Sequence, residues 1–380
     1  MSNRKRNISF AAIFTSVVLA IMVFIVITLM LIFVSYLRSM TYNQTELLVG
    51  ERIYHLKENM EATILKYEAA LIDTAYGVSS LMQENISSSE LDDYLFNISE
   101  RFPEMEILYY YNNLKWNSNG GFYANSREFI PPDDWDNTDR PWFINAKKAN
   151  GKTAFSEPYI DANTGDIIIS ISITVYDKNN RDIGVAAADI LVTEIASLIN
   201  KNKIMPYQEI YLLNKDGIFI THTNKAAIMK NNFFTDYFLE NYKNNILSAS
   251  LFSSFESNLF IYSANIPVAG WILVSLIPKT VIFSEINIFI IRLIFISFAI
   301  LAGIIFVTAF LAYRLLTIPI RGILKITDAI AEMDFSVKID EFRDDEIGDI
   351  QHSLMKIRDS LKTNIDSLQE HLSRTGEEKR

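Results

Sequence analysis

Two blocks of this chain run without a charged side chain for longer than a buried soluble helix usually does. The first extends from Ile8 to Leu37 and the second from Leu293 to Tyr313, bounded by Arg292 and Arg314. A hydrocarbon core of about 30 Å takes roughly 20 apolar helical residues. Each block therefore predicts a helix that crosses a membrane. A cleavable signal peptide has an apolar stretch of about 7–15 residues and a small-residue cleavage site. The first block is longer and ends in Phe33-Val34-Ser35-Tyr36-Leu37, so it reads as a retained anchor.

Positive charge sets the expected orientation. Arg4, Lys5 and Arg6 precede the first span, and Arg314, Arg321 and Lys325 follow the second. Both termini are expected in the cytoplasm, with residues 38–292 outside a plasma membrane that the chain crosses twice. The chain has no cysteine, so neither a disulfide nor a thiolate metal site is available to the outer segment. A net charge of −10 gives no support to nucleic-acid binding, which wants a basic face.

From Ser39 to about Leu81 there is no proline, and Leu47, Leu48, Ile53, Leu56, Met60, Ile64, Leu65 and Leu71 recur at helical spacing. The spacing predicts a long helix rising from the first span, packed on the domain that it introduces or paired with a second subunit. Strand texture follows at Ile107–Tyr111, Asp166–Tyr176 and Gly184–Leu191. A second group comprises Glu209–Leu213, Ile218–Thr221, Leu259–Ile266 and Trp271–Leu276. Asp216-Gly217 between two apolar runs predicts a hairpin. Two strand groups with helices between them predict two α/β modules in tandem.

After the second span, Pro319 opens a stretch in which Ile323, Ile326, Ile330 and Met333 keep a heptad-like spacing. A connector, Asp334–Arg343, carries Val337 and Ile339. A second amphipathic helix holds Ile347, Ile350, Leu354, Ile357, Leu361 and Leu368, with a stutter near Asn364. Helices this short need a partner to cover their seams. This tail resembles a HAMP domain, the linker of bacterial transmembrane receptors, through Pro319 and the run Asp345-Glu346-Ile347-Gly348. The resemblance implies a parallel four-helix bundle in a homodimer. The expected HAMP segment is 314–365, with 366–380 the start of an output coiled coil or a tail.

Residues from roughly Ser39 to Pro278 resemble the double Cache sensor domains of chemoreceptors and sensor kinases. The resemblance rests on Asp139-Arg140-Pro141-Trp142-Phe143, Pro158-Tyr159-Ile160-Asp161, Thr164-Gly165, and Gly184-Val185 with Asp189. It implies an α+β fold, a tandem PAS-like sensor behind a long N-terminal helix. These residues fall in the family's membrane-distal module, and Gly270-Trp271 suits the membrane-proximal one.

Residue chemistry suggests what such a pocket could hold. Arg140 has a permanent charge and a planar fork of donors that fits a carboxylate. Trp142 adds an indole N–H and an apolar face. Tyr159, Asp161 and Asp189 offer a ring face, a hydroxyl and two carboxylates, a set that suits an ammonium group. Together they describe a site for a zwitterion such as a free α-amino acid. The resemblance implies the same assignment, with Arg140 and Trp142 on the carboxylate and Tyr159, Asp161 and Asp189 on the amine. The family has a tyrosine five residues before the arginine, where this chain has the bulkier Trp135, which donates but does not accept. Plainer roles exist for each residue. Arg140 could pair with Asp139 at the surface for under about 1 kcal/mol, Trp142 could be core, and Asp161 could only start the turn at Asn163–Asp166.

No catalytic constellation stands out. His55, His222, His352 and His371 have no metal-ligand spacing, and Asp133-Asp134-Trp135-Asp136 lacks the spaced oxygen ligands of a calcium loop. The expectation is a receptor without enzymatic activity, cofactor or metal. It would sense a small ligand, an amino acid on the residue chemistry above, as in chemotaxis. The alternative is the sensory portion of a histidine kinase, cyclase or phosphatase whose output domain is absent or carried by a separate cytoplasmic partner.

Overall fold

A computed structural model describes residues 10–127, 129–255, 258–337 and 344–377. The basic residues Arg4, Lys5 and Arg6, the connector residue Ile339 and the terminal Glu378-Lys379-Arg380 lie outside the described residues. Two compact units emerge, Arg38–Glu285 and a second made of Met1–Leu37 with Ile286–Arg380.

One helix, α1, runs from Phe10 to Gln83, so the first apolar block and the predicted outer helix are continuous. Its two glycines mark close contacts, since a Cβ on Gly77 would lie 1.7 Å from the Tyr94 hydroxyl and one on Gly50 2.9 Å from that of Tyr262. The apolar series of α1 divides between two faces. Ile53, Leu56, Met60, Ile64 and Leu71 are buried, whereas Leu47, Leu48 and Leu65 are exposed.

In the Arg38–Glu285 unit, α1 backs two antiparallel sheets. The first follows α2 (Ser88–Ser99), whose N-terminus is closed by a reciprocal Ser87–Glu90 capping box. It comprises β1 (Met105–Asn112), β2 (Tyr123–Asn125), β3 (Ala154–Phe155), β4 (Tyr159–Ile160), β5 (Ile167–Tyr176) and β6 (Asp182–Leu191). The order is β2-β1-β6-β5-β3, with β4 also on β5. Helix α3 (Pro141–Ala149) lies between β2 and β3 in the chain, and α4 (Val192–Asn200) follows β6.

Alternation along a strand sends neighbouring side chains to opposite faces. Leu108, Tyr110, Ile171, Ile173, Ala186 and Ala188 pack with Leu71 and Val78 of α1 and with Leu91 and Leu95 of α2. Tyr109, Tyr111, Val185 and Ala187 pack instead with Trp142, Phe143 and Ala146 of α3. The polar residues of β5 fix α3 in place. The Ser172 hydroxyl donates to the Trp142 carbonyl at 2.8 Å, and that of Thr174 to the Ala146 carbonyl at 2.9 Å.

The second sheet has the order β7-β10-β9-β8, from β7 (Glu209–Leu213), β8 (Leu251–Ser254), β9 (Leu259–Ile266) and β10 (Trp271–Pro278). Val49, Ile53, Leu56, Met60 and Ile64 of α1 pack on one face with Leu212, Phe260, Leu273 and Ile277. The other face, with Tyr211 and Val274, is filled by Phe219, Ile246 and the adjacent rings Phe233 and Phe234. Two short helices, α5 (Phe233–Asp236) and α6 (Lys243–Ser248), supply part of that cover, and α7 (Lys279–Ile282) follows β10.

The predicted reversal forms at Asp216-Gly217, where the Asn214 N–H donates to the Ile218 carbonyl at 3.0 Å and the Ile220 N–H to that of Leu212 at 2.8 Å, but its return arm is not the regular strand expected. Ile218–Thr221 is not a strand, and its pairing is limited to the isolated bridges Leu213–Phe219 and Ile218–Asn232. The Asn214 side-chain oxygen accepts the amides of Asp216 at 3.0 Å and Ile218 at 2.9 Å. This side-chain turn reinforces the reversal that the backbone bond from Asn214 to Ile218 closes.

In the other unit, α8 (Ser284–Ala312) covers most of the second apolar block. Stretches of α1 and of the α8 region are long and apolar enough to cross a membrane, and neither is buried within the protein. One π-turn, Tyr313–Thr317, joins α8 to α9 (Ile318–Ala331). Pro319 has no N–H to give and would crowd the carbonyl four residues back. The wider turn accommodates it, with Ile318 N–H reaching the Tyr313 carbonyl. Helix α10 (Glu346–Glu377) runs through the expected stutter at Asn364 without a break. Its start is capped by Asp345, whose carboxylate accepts the Gly348 amide at 3.1 Å. Ile350, Ile357, Leu361, Leu368 and Leu372 of its seam are exposed in the single chain.

Candidate ligand-binding site

The α3 side of the first sheet holds a cavity of about 100 Å³. That is several times the ~10–15 Å³ one water needs, and it suits a small molecule. Arg140, Trp142, Tyr159, Asp161, Asp189 and Trp135, singled out in the sequence, all line it.

Pro141 is the first residue of α3 and Arg140 its N-cap, in extended backbone at φ −77° and ψ 145°. A proline disfavours helical backbone in the residue before it, so this conformation is built into the Arg-Pro pair. The guanidinium carbon sits 5.5 Å from the centre of the Tyr159 ring and 5.7 Å from that of Trp135. Two aromatic faces therefore hold the cation. Among the described residues no ion pair joins Arg140 to a carboxylate, Asp139 included. Arg140 Nε and Trp135 Nε1 are both buried and neither has a hydrogen-bond partner in the protein.

Asp189 comes from β6, by strand parity on the same face as Val185 and Ala187. It is 5% exposed. Its carboxylate accepts from the Tyr109 hydroxyl at 2.8 Å and from Ser170 Oγ. The Ser170 oxygen also meets the Tyr159 hydroxyl at 2.6 Å. Burial pushes the Asp189 carboxyl up to about 7, the two hydroxyl donors oppose that shift, nearby Asp161 adds to it, and Arg140 opposes it. Burial first, and then the Asp189 charge, raise both Tyr109 and Tyr159, so these hydroxyls stay protonated. Tyr159 thus has its ring against the cation and its hydroxyl on the network around the anion. The two charges share one cavity without neutralising each other directly.

Asp161 combines two of the roles weighed for it. One carboxylate oxygen accepts the Thr164 amide and hydroxyl, both at 2.9 Å, closing the turn at Thr164-Gly165, and the residue also lines the cavity. Trp142 is likewise both core and lining. It is 2% exposed, and its ring meets Tyr109 edge-on at 4.9 Å. The Asp133–Asp136 run is a turn in which Asp136 accepts the Thr138 amide and hydroxyl, at 2.9 and 2.7 Å.

Sequence reasoning missed Tyr109, Tyr111, Phe129 and Ser170. Tyr111 and Phe129 pack on Trp135 at 5.2 and 6.4 Å. Tyr109 and Ser170 supply both hydroxyl donors to Asp189. The available signal was the polar half of the β5 alternation, Ser170, Ser172 and Thr174, in a strand otherwise made of isoleucine and valine.

Two helix-backed antiparallel sheets, one with a polar cavity and one filled by aromatic rings, define a tandem sensor-type α+β fold. Residues 36–286 match the family described as the Cache domain, and the chain belongs to that family. Among curated relatives, the methyl-accepting chemotaxis protein McpC of Bacillus subtilis (strain 168) is 33% identical over 96 residues, 25% of this chain and 14% of McpC. McpB of the same organism is 23% identical over 241 residues, 62% of this chain and 34% of McpB. The chain thus spans about a third or less of the length of these two relatives. Among solved structures, the ligand-binding domain of the Pseudomonas fluorescens chemoreceptor CtaA in complex with L-isoleucine superposes with a TM-score of 0.52 at 18% identity. The match covers 65% of this chain and 98% of that one, and it shows the fold.

Proposed function

We propose that this chain is the sensing and relaying part of a chemotaxis-type transmembrane receptor, and that its cavity holds a free α-amino acid. The observation that carries this reading is the pair of buried, unpartnered donors, Arg140 Nε and Trp135 Nε1, in one cavity with the buried carboxylate of Asp189. A buried donor without an acceptor costs about 1–3 kcal/mol. A ligand carboxylate removes that cost for both donors, while the ligand ammonium neutralises Asp189 with Asp161 and the Tyr159 ring beside it. The relatives named as chemotaxis proteins support the receptor class, and the amino acid bound by CtaA supports the ligand class.

The roles then follow from chemistry. Arg140, Trp135 and Trp142 bind the carboxylate. Asp189, Asp161 and Tyr159 bind the amine. The receptor relays occupancy and catalyses nothing. Residues 38–292 lie outside the plasma membrane, and 293–313 is the covalent link to the tail. Residues 314–365 form a HAMP domain that completes a four-helix bundle in a homodimer. Pro319 sits behind the π-turn, and Asp345, Glu346 and Gly348 form the capped start of α10. The exposed seam of α10 supports that assembly, since Ile350, Ile357, Leu361 and Leu368 present large apolar side chains to solvent in the single chain. A ligand shifts the receptor only through different affinities for two arrangements. Output passes to a cytoplasmic signalling partner or a further domain.

A thermal-shift screen of the full chain in lipid nanodiscs against free amino acids tests the reading. At least one should raise the melting temperature, and stabilisation by none would overturn it. Trp135→Phe keeps a ring and removes the donor. It is expected to weaken the identified ligand by roughly tenfold or more, the scale of one hydrogen bond to a charged group. An unchanged Kd would mean that the indole N–H does not touch the ligand.

A further inference from the structure

A second cleft, of about 690 Å³, opens between α4 and the segment that follows Thr221. Its size falls within the roughly 300–1,000 Å³ of small-molecule sites. Lys201, Lys225 and His222 line it, and no carboxylate does, although the chain carries a net charge of −10. Among the described residues neither lysine forms an ion pair, whereas Lys57, Lys147, Arg181 and Arg358 do. Thr193, Ser197 and Lys201 recur every four residues along one side of α4 and form one wall. The other wall is His222, Thr223 and Lys225, the last opening a 3₁₀ turn, Lys225–Ala227. The hydroxyls of Thr193, Ser197 and Thr223 make no hydrogen bond to the described residues, whereas Thr63, Thr74 and Ser248 spend theirs on the carbonyl four residues back. Ile167, Val192 and Ile228 give the cleft an apolar side.

We propose that this cleft binds a soluble phosphate monoester, with Lys201, Lys225 and His222 on the phosphoryl group and Ile167, Val192 and Ile228 against the organic body. The histidine is set up as a donor. Its Nδ1 accepts the Asn224 amide at 2.9 Å, so the neutral ring carries its proton on Nε2. That N–H has no partner among the described residues, and the ring is fixed by stacking on Tyr211 at 5.0 Å and by an edge contact with Phe219 at 4.7 Å. The donor set selects phosphate over carboxylate. A carboxylate is planar and is matched by the two-pronged fork of an arginine, which this cleft lacks. Ammonium, imidazole and hydroxyl donors that come from two facing walls suit a tetrahedral group with three accepting oxygens and nearly two charges. The volume exceeds what a bare phosphate fills, and the apolar side accounts for the remainder.

The test is thermal shift and titration calorimetry of the full chain in phosphatidylcholine nanodiscs at matched ionic strength. The probes are inorganic phosphate, glycerol phosphate and adenosine monophosphate, with glycerol and adenosine as controls. At least one ester should raise the melting temperature and bind more tightly than inorganic phosphate, and its dephosphorylated counterpart should not bind. The double variant Lys201→Gln with Lys225→Gln, both at exposed positions, should melt like the wild type when unliganded and bind that ester at least about tenfold more weakly. Stabilisation by no ester, equal binding by the double variant, or equal binding of the dephosphorylated compound would each overturn the proposal. Loss of ester binding in nanodiscs that carry phosphatidylglycerol would assign the cleft to a lipid headgroup instead. No amino acid is needed for any of these readouts, so they stand or fall apart from the amino-acid assignment.

Discussion

Replacing Asp189 with asparagine is expected to stabilise the ligand-free protein while weakening amino-acid binding roughly a hundredfold or more. The two effects have one cause. Asp189 is nearly inaccessible, and burial pushes its carboxyl up to about 7. An unfolded chain leaves an aspartate near the ordinary value of about 3.9. A group raised on folding contributes stability that is fully present below about pH 4 and lost as pH rises through about 7. The ligand-free wild type should therefore melt lower at pH 8 than at pH 5, and Asp189→Asn should lack that part of the slope. Asparagine still accepts from Tyr109 and Ser170, so the network survives. Binding has the opposite dependence, because the ammonium needs an ionised partner. Wild-type affinity should fall about tenfold per pH unit below about 7. Melting curves and calorimetry of both proteins from pH 5 to 8 check this. A variant that binds normally, or that shows the wild-type stability slope, would remove Asp189 from the site.

Arg140→Ala should abolish measurable binding, with a loss of roughly a hundredfold or more for truncating one partner of a desolvated charge pair. The Trp135 and Tyr159 rings that flank the guanidinium remain, so the cavity walls persist without their cation. Arg140→Lys restores charge but not the planar two-donor fork, and should recover only part of the affinity. Titration calorimetry separates the two variants. Unchanged affinity in the alanine variant would place the carboxylate elsewhere.

Much of this arrangement was legible because it is written in local patterns. Charge-free length predicted the apolar helices, and alternation at Asp166–Tyr176 predicted β5 almost to the residue. The six site residues fell together because they sit at fixed positions around an Arg-Pro helix start, a short strand with its turn, and a strand end. The rest depended on tertiary placement. Tyr109, Tyr110 and Tyr111 are indistinguishable in sequence. Only the docking of α3 decides that Tyr109 and Tyr111 face the cavity while Tyr110 faces α1. Ser170 lies 19 positions from Asp189 in the chain and reaches it only through pairing of β5 with β6. The Asp216-Gly217 reversal was legible, whereas its return arm, Ile218–Thr221, pairs only through isolated bridges to Leu213 and Asn232. The apolar residues of α1 read as a single amphipathic series, yet the sheets cover one side and leave Leu47, Leu48 and Leu65 exposed.

The central claim is that one cavity reads both ends of an amino acid. Isothermal titration of the full chain with the best ligand from the screen, its decarboxylated amine and its deaminated acid tests this most directly. The account predicts that the amino acid binds and that each analogue loses roughly a hundredfold or more in affinity. An amine or an acid that binds as tightly as the parent amino acid would contradict it.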